Sequence, residues 1–334
     1  MKEATIKDIA ALAQVSITTV SRVINENYPV SQEARVRVED AIQKLHYRPN
    51  AVARGLRRNR TNLVAMVVPD ISNPFFMEAA KGLEESLLHS ERNLVIASSD
   101  SSEEKERHLL NALLERRVDG LVIASVDHQA DAIHGFFQMG TPVVLIDRPM
   151  EGLQANEVRW NDSETSCRLT EELIQSNHTR IGIVNVTLEN HNGRARLSGY
   201  LEAIARAGIP LRQEYISPSN FSRQDACDFV RKVMSLPQPP TALYCANNVM
   251  VEGTLHALDE LGLKIWQDVS LVAFGDLICN RYISPGITCA VQDGLEMGKK
   301  AGEILCALLE KGDIPPRQII LDAPLCRFQS VRRL

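Results

Sequence analysis

The chain has 334 residues, 44 % of them hydrophobic, with 37 Lys and Arg against 42 Asp and Glu. This is ordinary globular composition with room for two or three domains. No secretory h-region opens the chain and no apolar run reaches the roughly 18 residues of a membrane helix, so a soluble, cytoplasmic protein with no membrane partner is expected. Seven cysteines form no CxxC pair, and eight histidines show no HxxxH or HExxH spacing. Buried small thiols in a reducing compartment are expected, with no cofactor and no metal.

Thr5 to Asp8 has the form of a capping box, a hydroxyl at N-cap and a carboxylate three residues on. Ile6, Ile9, Ala10 and Ala13 then fall on one helical face. Gln14-Val15 makes a tight turn, and Ser16 is a natural N-cap for a second helix buried through Val20, Val23 and Ile24. Its first turn is polar. Ser31 caps a third helix, whose Val36, Val38, Ile42 and Leu45 complete a small core. Two short helices joined by a tight turn form a helix-turn-helix, whose second helix enters the major groove.

Charge supports that reading. Residues 1–60 carry 11 Lys and Arg against six acids, a formal +5, which leaves −10 on the remainder. A basic head on an acidic body is the footprint of a local nucleic-acid site. Pro49 then ends the third helix. The following segment, about seven residues long and weakened by Gly55, is too short for a stable isolated helix.

TIKDIAALAQVSITTVSRVIN followed by VSQEARVRVEDAIQKLHYRPNAVARGL resembles the LacI/GalR family of bacterial transcription regulators. Val15-Ser16, Thr19 to Val23, Asn25, Tyr47, Pro49-Asn50, Ala53 and Leu56 carry the match. The resemblance implies that Ile17, Thr18 and Arg22 face base edges, and Arg22 has the geometry for a bidentate pair with guanine. Ser16, Thr19, Ser21 and Asn25 are expected to hold phosphates and set register. It further implies that the hinge, with Asn50, Arg54, Leu56 and Arg57, folds on the minor groove in a homodimer, Leu56 acting as a wedge between base steps. Double-stranded operator DNA is the implied partner. No heptad extension follows the core, so a dimer is expected rather than a coiled-coil tetramer.

From Leu63 the texture changes. Apolar runs at 63–68, 94–97, 120–124, 143–146, 181–184, 242–245 and 270–274 alternate with helical stretches at 75–90, 103–117, 128–139, 163–177, 195–208, 223–235 and 248–262. That pattern predicts parallel sheets in doubly wound α/β units, in two sets and hence two lobes. The fold class expected is α/β: a helix-turn-helix head with a hinge helix, then a two-lobed core. By resemblance that core is periplasmic-binding-protein-like. The expected domains are 1–47 for the head, 48–61 for the hinge and 62–334 for the core. Lobe 1 would span about 62–160 and 291–322, lobe 2 about 161–290 and 323–334, with crossings near 160, 290 and 323.

No GxGxxG after a strand, no P-loop and no GxSxG elbow occurs, so an enzyme is not expected. A transport-type solute-binding protein would fit the body but not the DNA-reading head.

Ligands in such folds sit at the carboxyl ends of strands. Asp70, Asn73, Phe75 and Phe76 follow the first strand, Asp147 and Arg148 the fourth, Asn247-Asn248 and Gly275-Asp276 later ones. The resemblance adds Arg196, Phe221 and Gln292, and a small carbohydrate-type effector. Two departures stand out. The family usually shows an aspartate where this chain has Asn248, and another where it has Gly275. With Arg148 and Arg196 retained, their loss points to an anionic effector, a sugar acid or phosphorylated sugar. If Asp276 takes the vacant role, a neutral sugar stays open.

Overall fold

The computed structural model describes residues 4–25, 28–47, 61–88, 90, 92–127, 131–150, 152–218, 222–277, 280–282, 284–312 and 314–334. The expected hinge, with Asn50, Arg54, Leu56 and Arg57, lies outside the described residues, as does Phe221. The chain divides into two compact units, 1–61 and 62–334.

In the first unit, α1 (Ile6–Ala13), α2 (Ile17–Asn25) and α3 (Gln32–Lys44) pack on Ile9, Ala13, Val20, Val23, Val38 and Ala41. The Thr5 amide and hydroxyl both donate to Asp8 Oδ2 at 2.7 Å. Gln14 turns the chain in the left-handed region at φ 53°. Ser31 Oγ accepts from the Ala34 amide at 3.4 Å and starts α3. Val36, expected in this core, is 46 % exposed. It stands two residues from both Ala34 and Val38, roughly 200° around a helix from each.

The second unit has two sheets. Six parallel strands run in the order β10-β5-β4-β3-β1-β2: β1 (Leu63–Val68), β2 (Asn93–Ser98), β3 (Gly120–Ile123), β4 (Val143–Ile146), β5 (Asn156–Trp160) and β10 (Gln318–Leu321). The second sheet is ordered β11-β9-β8-β7-β6: β6 (Ile181–Val184), β7 (Ala242–Cys245), β8 (Ser270–Phe274), β9 (Thr288–Ala290) and β11 (Leu325–Cys326), with β11 antiparallel. Helices α4 (Pro74–Leu87), α5 (Glu103–Glu115), α6 (Asp131–Gln138) and α11 (Gly294–Lys311) belong with the first sheet. Helices α7 (Asp162–Gln175), α8 (His191–Arg206), α9 (Arg223–Met234) and α10 (Asn248–Glu260) belong with the second. The chain passes between sheets after β5, after β9 and after β10. Strands β1, β3, β4, β6, β7 and β8 are buried almost throughout, as helices on both faces require. Among the described residues no helix is long and apolar enough to cross a membrane.

Helix α11 crosses α4 at backbone contact. A Cβ on Gly298 would stand 1.9 Å from the Ala79 carbonyl oxygen, and one on Gly82 2.1 Å from that of Leu295. Gly298→Ala must therefore push the helices apart over the buried Ala79, Leu83, Met297 and Ala301. The expected loss is about 1–3 kcal/mol by overpacking, read as a lower urea midpoint.

Candidate functional site

The two units each carry a candidate site. In the first, Ser16 caps α2: its Oγ accepts from the Thr19 amide at 3.1 Å and lies 2.9 Å from the Thr19 hydroxyl. With Val20 and Val23 buried, α2 presents its other face to solvent. Ser16, Ile17, Thr18 and Arg22 are exposed, and Thr19 and Ser21 are half-buried. Ile17 is 45 % exposed, although an apolar side chain gains by burial. The Arg22 guanidinium lies 5.3 Å from the Tyr28 ring centroid. Tyr28, 61 % exposed, was not anticipated. A cation stacked on a ring is partly ordered before any partner arrives. Asn25 closes α2.

In the second unit, a cavity of about 410 Å³ opens between the lobes at the carboxyl ends of the strands. Of the expected residues it brings together Asn73, Phe75, Phe76, Asp147, Arg148, Arg196, Asn248, Asp276 and Gln292. Asp70 is not among the lining residues; its carboxylate accepts from the Ser72 amide at 2.8 Å and hydroxyl at 2.9 Å and holds the turn before α4. Asn247, beside Asn248, lines it too, and the cavity adds Glu78, Asn190, Asn192 and Asp293. These carry no motif. For Asn190 and Asn192 the available signal was their position at the start of the helix that follows a buried strand; Glu78 and Asp293 had none.

Four lining side chains are helix N-caps. Asn73 accepts from the Phe75 amide at 3.2 Å, Asn190 from Gly193 at 2.9 Å, Asn247 from Met250 at 2.7 Å and Asp293 from Glu296 at 2.9 Å. Thus α4, α8, α10 and α11 all aim their N-termini at the cavity. Asn73 of lobe 1 and Asn248 of lobe 2 also exchange amide hydrogen bonds, Asn248 Nδ2 to Asn73 Oδ1 at 3.0 Å and the reverse at 3.4 Å. Phe75 and Phe76 meet edge to face at 5.1 Å. Phe76, at 4 % exposure, is also part of the core.

Arg196, 4 % exposed, donates from Nε to Asp162 Oδ1 at 2.7 Å and from a terminal nitrogen to the Ala246 carbonyl. Its guanidinium stacks 3.8 Å from the Phe274 centroid. Burial opposes the cation, but the Asp162 and Asp147 charges outweigh it and hold the pKa above its usual range. Burial pushes Asp162 up to about 6 against the pull of Arg196. Burial lowers Arg148, while Asp147 and Glu106 raise it. Arg148 Nε stands 3.9 Å from Asp147 Oδ2, and a terminal nitrogen reaches the Ser125 carbonyl at 3.5 Å. Asp147 itself sits in the left-handed region at φ 62°. Burial raises the Glu78 pKa, reinforced by Asp293 and Asp276. Asn192, 4 % exposed, has an Oδ1 with no hydrogen-bond partner among the described residues. A buried acceptor of this kind calls for a donor from ligand or water.

Comparison with known proteins gives a consistent picture. Residues 5–50 match the family described as bacterial regulatory proteins, lacI family, and residues 61–326 that described as periplasmic binding proteins and sugar binding domain of LacI family. The chain is 32 % identical to catabolite control protein A of Priestia megaterium, over 92 % of this chain and 93 % of that one. It is 33 % identical to the ribose operon repressor of Haemophilus influenzae, over 97 % of each. Among solved structures, a complex of the transcriptional regulator CelR with cellobiose superposes with a TM-score of 0.74 at 26 % identity, covering 98 % of this chain and 99 % of that one.

Removing Asp162 leaves the Arg196 cation buried without its counter-ion. Asp162→Ala is expected to cost about 3–5 kcal/mol at neutral pH, measured by urea unfolding of the full chain. The raised pKa means the folded chain holds this proton more tightly than the unfolded one. The associated stability is complete below the ordinary value of 3.8 and lost as pH rises through about 6. Asp162→Asn should remove that slope.

Proposed function

The chain belongs to the LacI family of bacterial regulatory proteins, a family of transcriptional repressors and not of enzymes, and from that premise we propose how its two sites work. The α2 face reads operator DNA: Ile17, Thr18 and Arg22 meet base edges, while Ser16, Thr19, Ser21 and Asn25 engage phosphates. Asn50, Arg54, Leu56 and Arg57 engage the minor groove. The working form is a cytoplasmic homodimer, since two heads match two half-sites. Support for a dimer surface comes from edge strand β2, which leaves Val95 42 % and Ile96 40 % exposed. An apolar edge of that kind is normally covered.

The inter-lobe cavity takes a small neutral carbohydrate that modulates DNA binding. The observation that carries this is its charge balance. The lining holds Arg148 and Arg196 against Glu78, Asp147, Asp276 and Asp293, a formal −2. Four helix N-termini, each equivalent to about half a positive charge, offset roughly that much. Both guanidiniums also have internal counter-ions, Asp147 and Asp162. Two absent aspartates beside retained arginines suggested an anionic effector; these partners shift the reading to a neutral, hydroxyl-bearing ligand. Asn192 Oδ1 is placed to accept from such a hydroxyl. The cellobiose carried by CelR is a ligand of this class.

Three expected outcomes test this. With DNA selected by the full-length protein from a random-sequence pool, Arg22→Ala should weaken binding by about 1–3 kcal/mol and relax one base position. Leu56→Ala should abolish binding while leaving effector affinity intact; unchanged DNA affinity would refute the wedge role. Calorimetric titration with neutral sugars, gluconate-type acids and sugar phosphates should show selective binding of a neutral sugar. Preference for an acid or phosphate would restore the anionic reading.

A further inference from the structure

A second constellation lies on the helices of lobe 2, outside the cleft. Cys227 on α9 and His256 and Glu260 on α10 bring one ligand atom each within 4.8 Å of one another. His256 and Glu260 are four residues apart and share one helix face. Cys227 Sγ is 3.8 Å from Glu260 Oε2, and His256 Nε2 is 3.4 Å from Glu260 Oε1. Zinc bonds of about 2.3 Å to sulfur and about 2.0–2.1 Å to nitrogen or oxygen give tetrahedral edges of roughly 3.3–3.6 Å. The His256 separation lies in that range; the Cys227 separation, to the other carboxylate oxygen, exceeds it, so a rotation of the Glu260 carboxylate is needed to bring one oxygen to a shared ion.

The space beside these ligands already attracts a cation. An Arg231 terminal nitrogen donates to Cys227 Sγ at 3.1 Å, and Arg231 Nε lies 2.8 Å from Glu260 Oε2. Arg231 also has an alternative: Asp228 Oδ1 is 3.1 Å from its other terminal nitrogen. The guanidinium can therefore leave the thiol without losing every counter-charge.

We propose that Cys227, His256 and Glu260 form a binding site for a thiophilic divalent cation, Zn²⁺, with one water completing the tetrahedron and Arg231 displaced onto Asp228. Cys227 is buried, whereas the side chains of His256 and Glu260 are 59 % and 42 % exposed. The thiol forms the floor and the metal enters from the imidazole and carboxylate side. Binding exchanges the S–H bond for an S–Zn bond and releases that proton to solvent, with no change of oxidation state. Sequence spacing gave no warning, because the thiol comes from a different helix, 29 residues before His256. A bound ion would cross-link α9 to α10, and α10 begins at Asn248 in the cleft.

The test uses full-length protein stripped with chelator and titrated with Co²⁺, then Zn²⁺. One Co²⁺ per chain should bind with a thiolate-to-cobalt charge-transfer band that Zn²⁺ abolishes, and apparent affinity should rise with pH. His256→Ala, at an exposed position, should weaken Co²⁺ binding by at least about tenfold, the lower end of what losing even an outer-shell partner costs. Arg231→Met should tighten it by removing the competing cation. A charge-transfer band that persists in Cys227→Ser, an unchanged affinity in His256→Ala, or weaker binding in Arg231→Met would each overturn the site.

Discussion

Much of lobe 2 is organised by a buried guanidinium. A cation at 4 % exposure is tolerable only with a counter-charge and acceptors close at hand. Arg196 meets this demand by drawing on separate elements: Asp162 at the start of α7, the Ala246 carbonyl just past β7, and the Phe274 ring at the end of β8. Asp162 follows the first crossing between sheets by a single residue. The same ion pair therefore anchors α8, fixes where the chain enters lobe 2, and sets the floor of the cavity.

Capping explains the rest of the cavity wall. A helix leaves its first amides without intrahelical partners, and a short polar side chain must accept from them. In a doubly wound sheet those helix starts gather beside the strand ends. Asn73, Asn190, Asn247 and Asp293 each answer that local need and, in doing so, line the cleft. The polarity of the site is thus partly a by-product of how its helices begin. Cap oxygens spent on backbone amides are less available to a ligand, which leaves Asn192, Gln292 and the carboxylates for recognition.

The strands legible in the sequence were those with uninterrupted apolar residues, such as Leu63–Val68 and Ser270–Phe274, buried almost throughout, and Asn93–Ser98, which proves to be a partly exposed edge. Asn156–Trp160 was not expected, because its Asn156 and Glu157 read as loop. Asn156 instead accepts from the Arg317 amide at 3.0 Å, where β10 joins the sheet. Helix α11 was missed for a related reason: Gly294, Gly298 and Gly302 depress helix propensity, and only the close approach to α4 shows why they are needed. The strand-end loops pointed to most of the cavity residues, whereas Glu78 and Asp293 come together only through the packing of α4 against α11. The opposite failure is Asp70, whose carboxylate is consumed within its own turn.

The two departures noted in the sequence are physically linked. Gly275 stands at φ 91°, and a Cβ there would lie 3.3 Å from Gln292 Oε1. An aspartate at this position would be strained and would crowd the Gln292 amide. Asn248, which packs its backbone amide 3.8 Å from that same imagined Cβ, exchanges two hydrogen bonds with Asn73 across the lobes. An aspartate at 248 could accept from Asn73 but donate nothing back, and Asn73 Oδ1 would keep only its cap. A carboxylate there would also add a fifth negative charge to the lining. Amide at 248 and glycine at 275 therefore act in the same direction: they join the two lobes through a neutral contact and leave Gln292 room at the cavity wall.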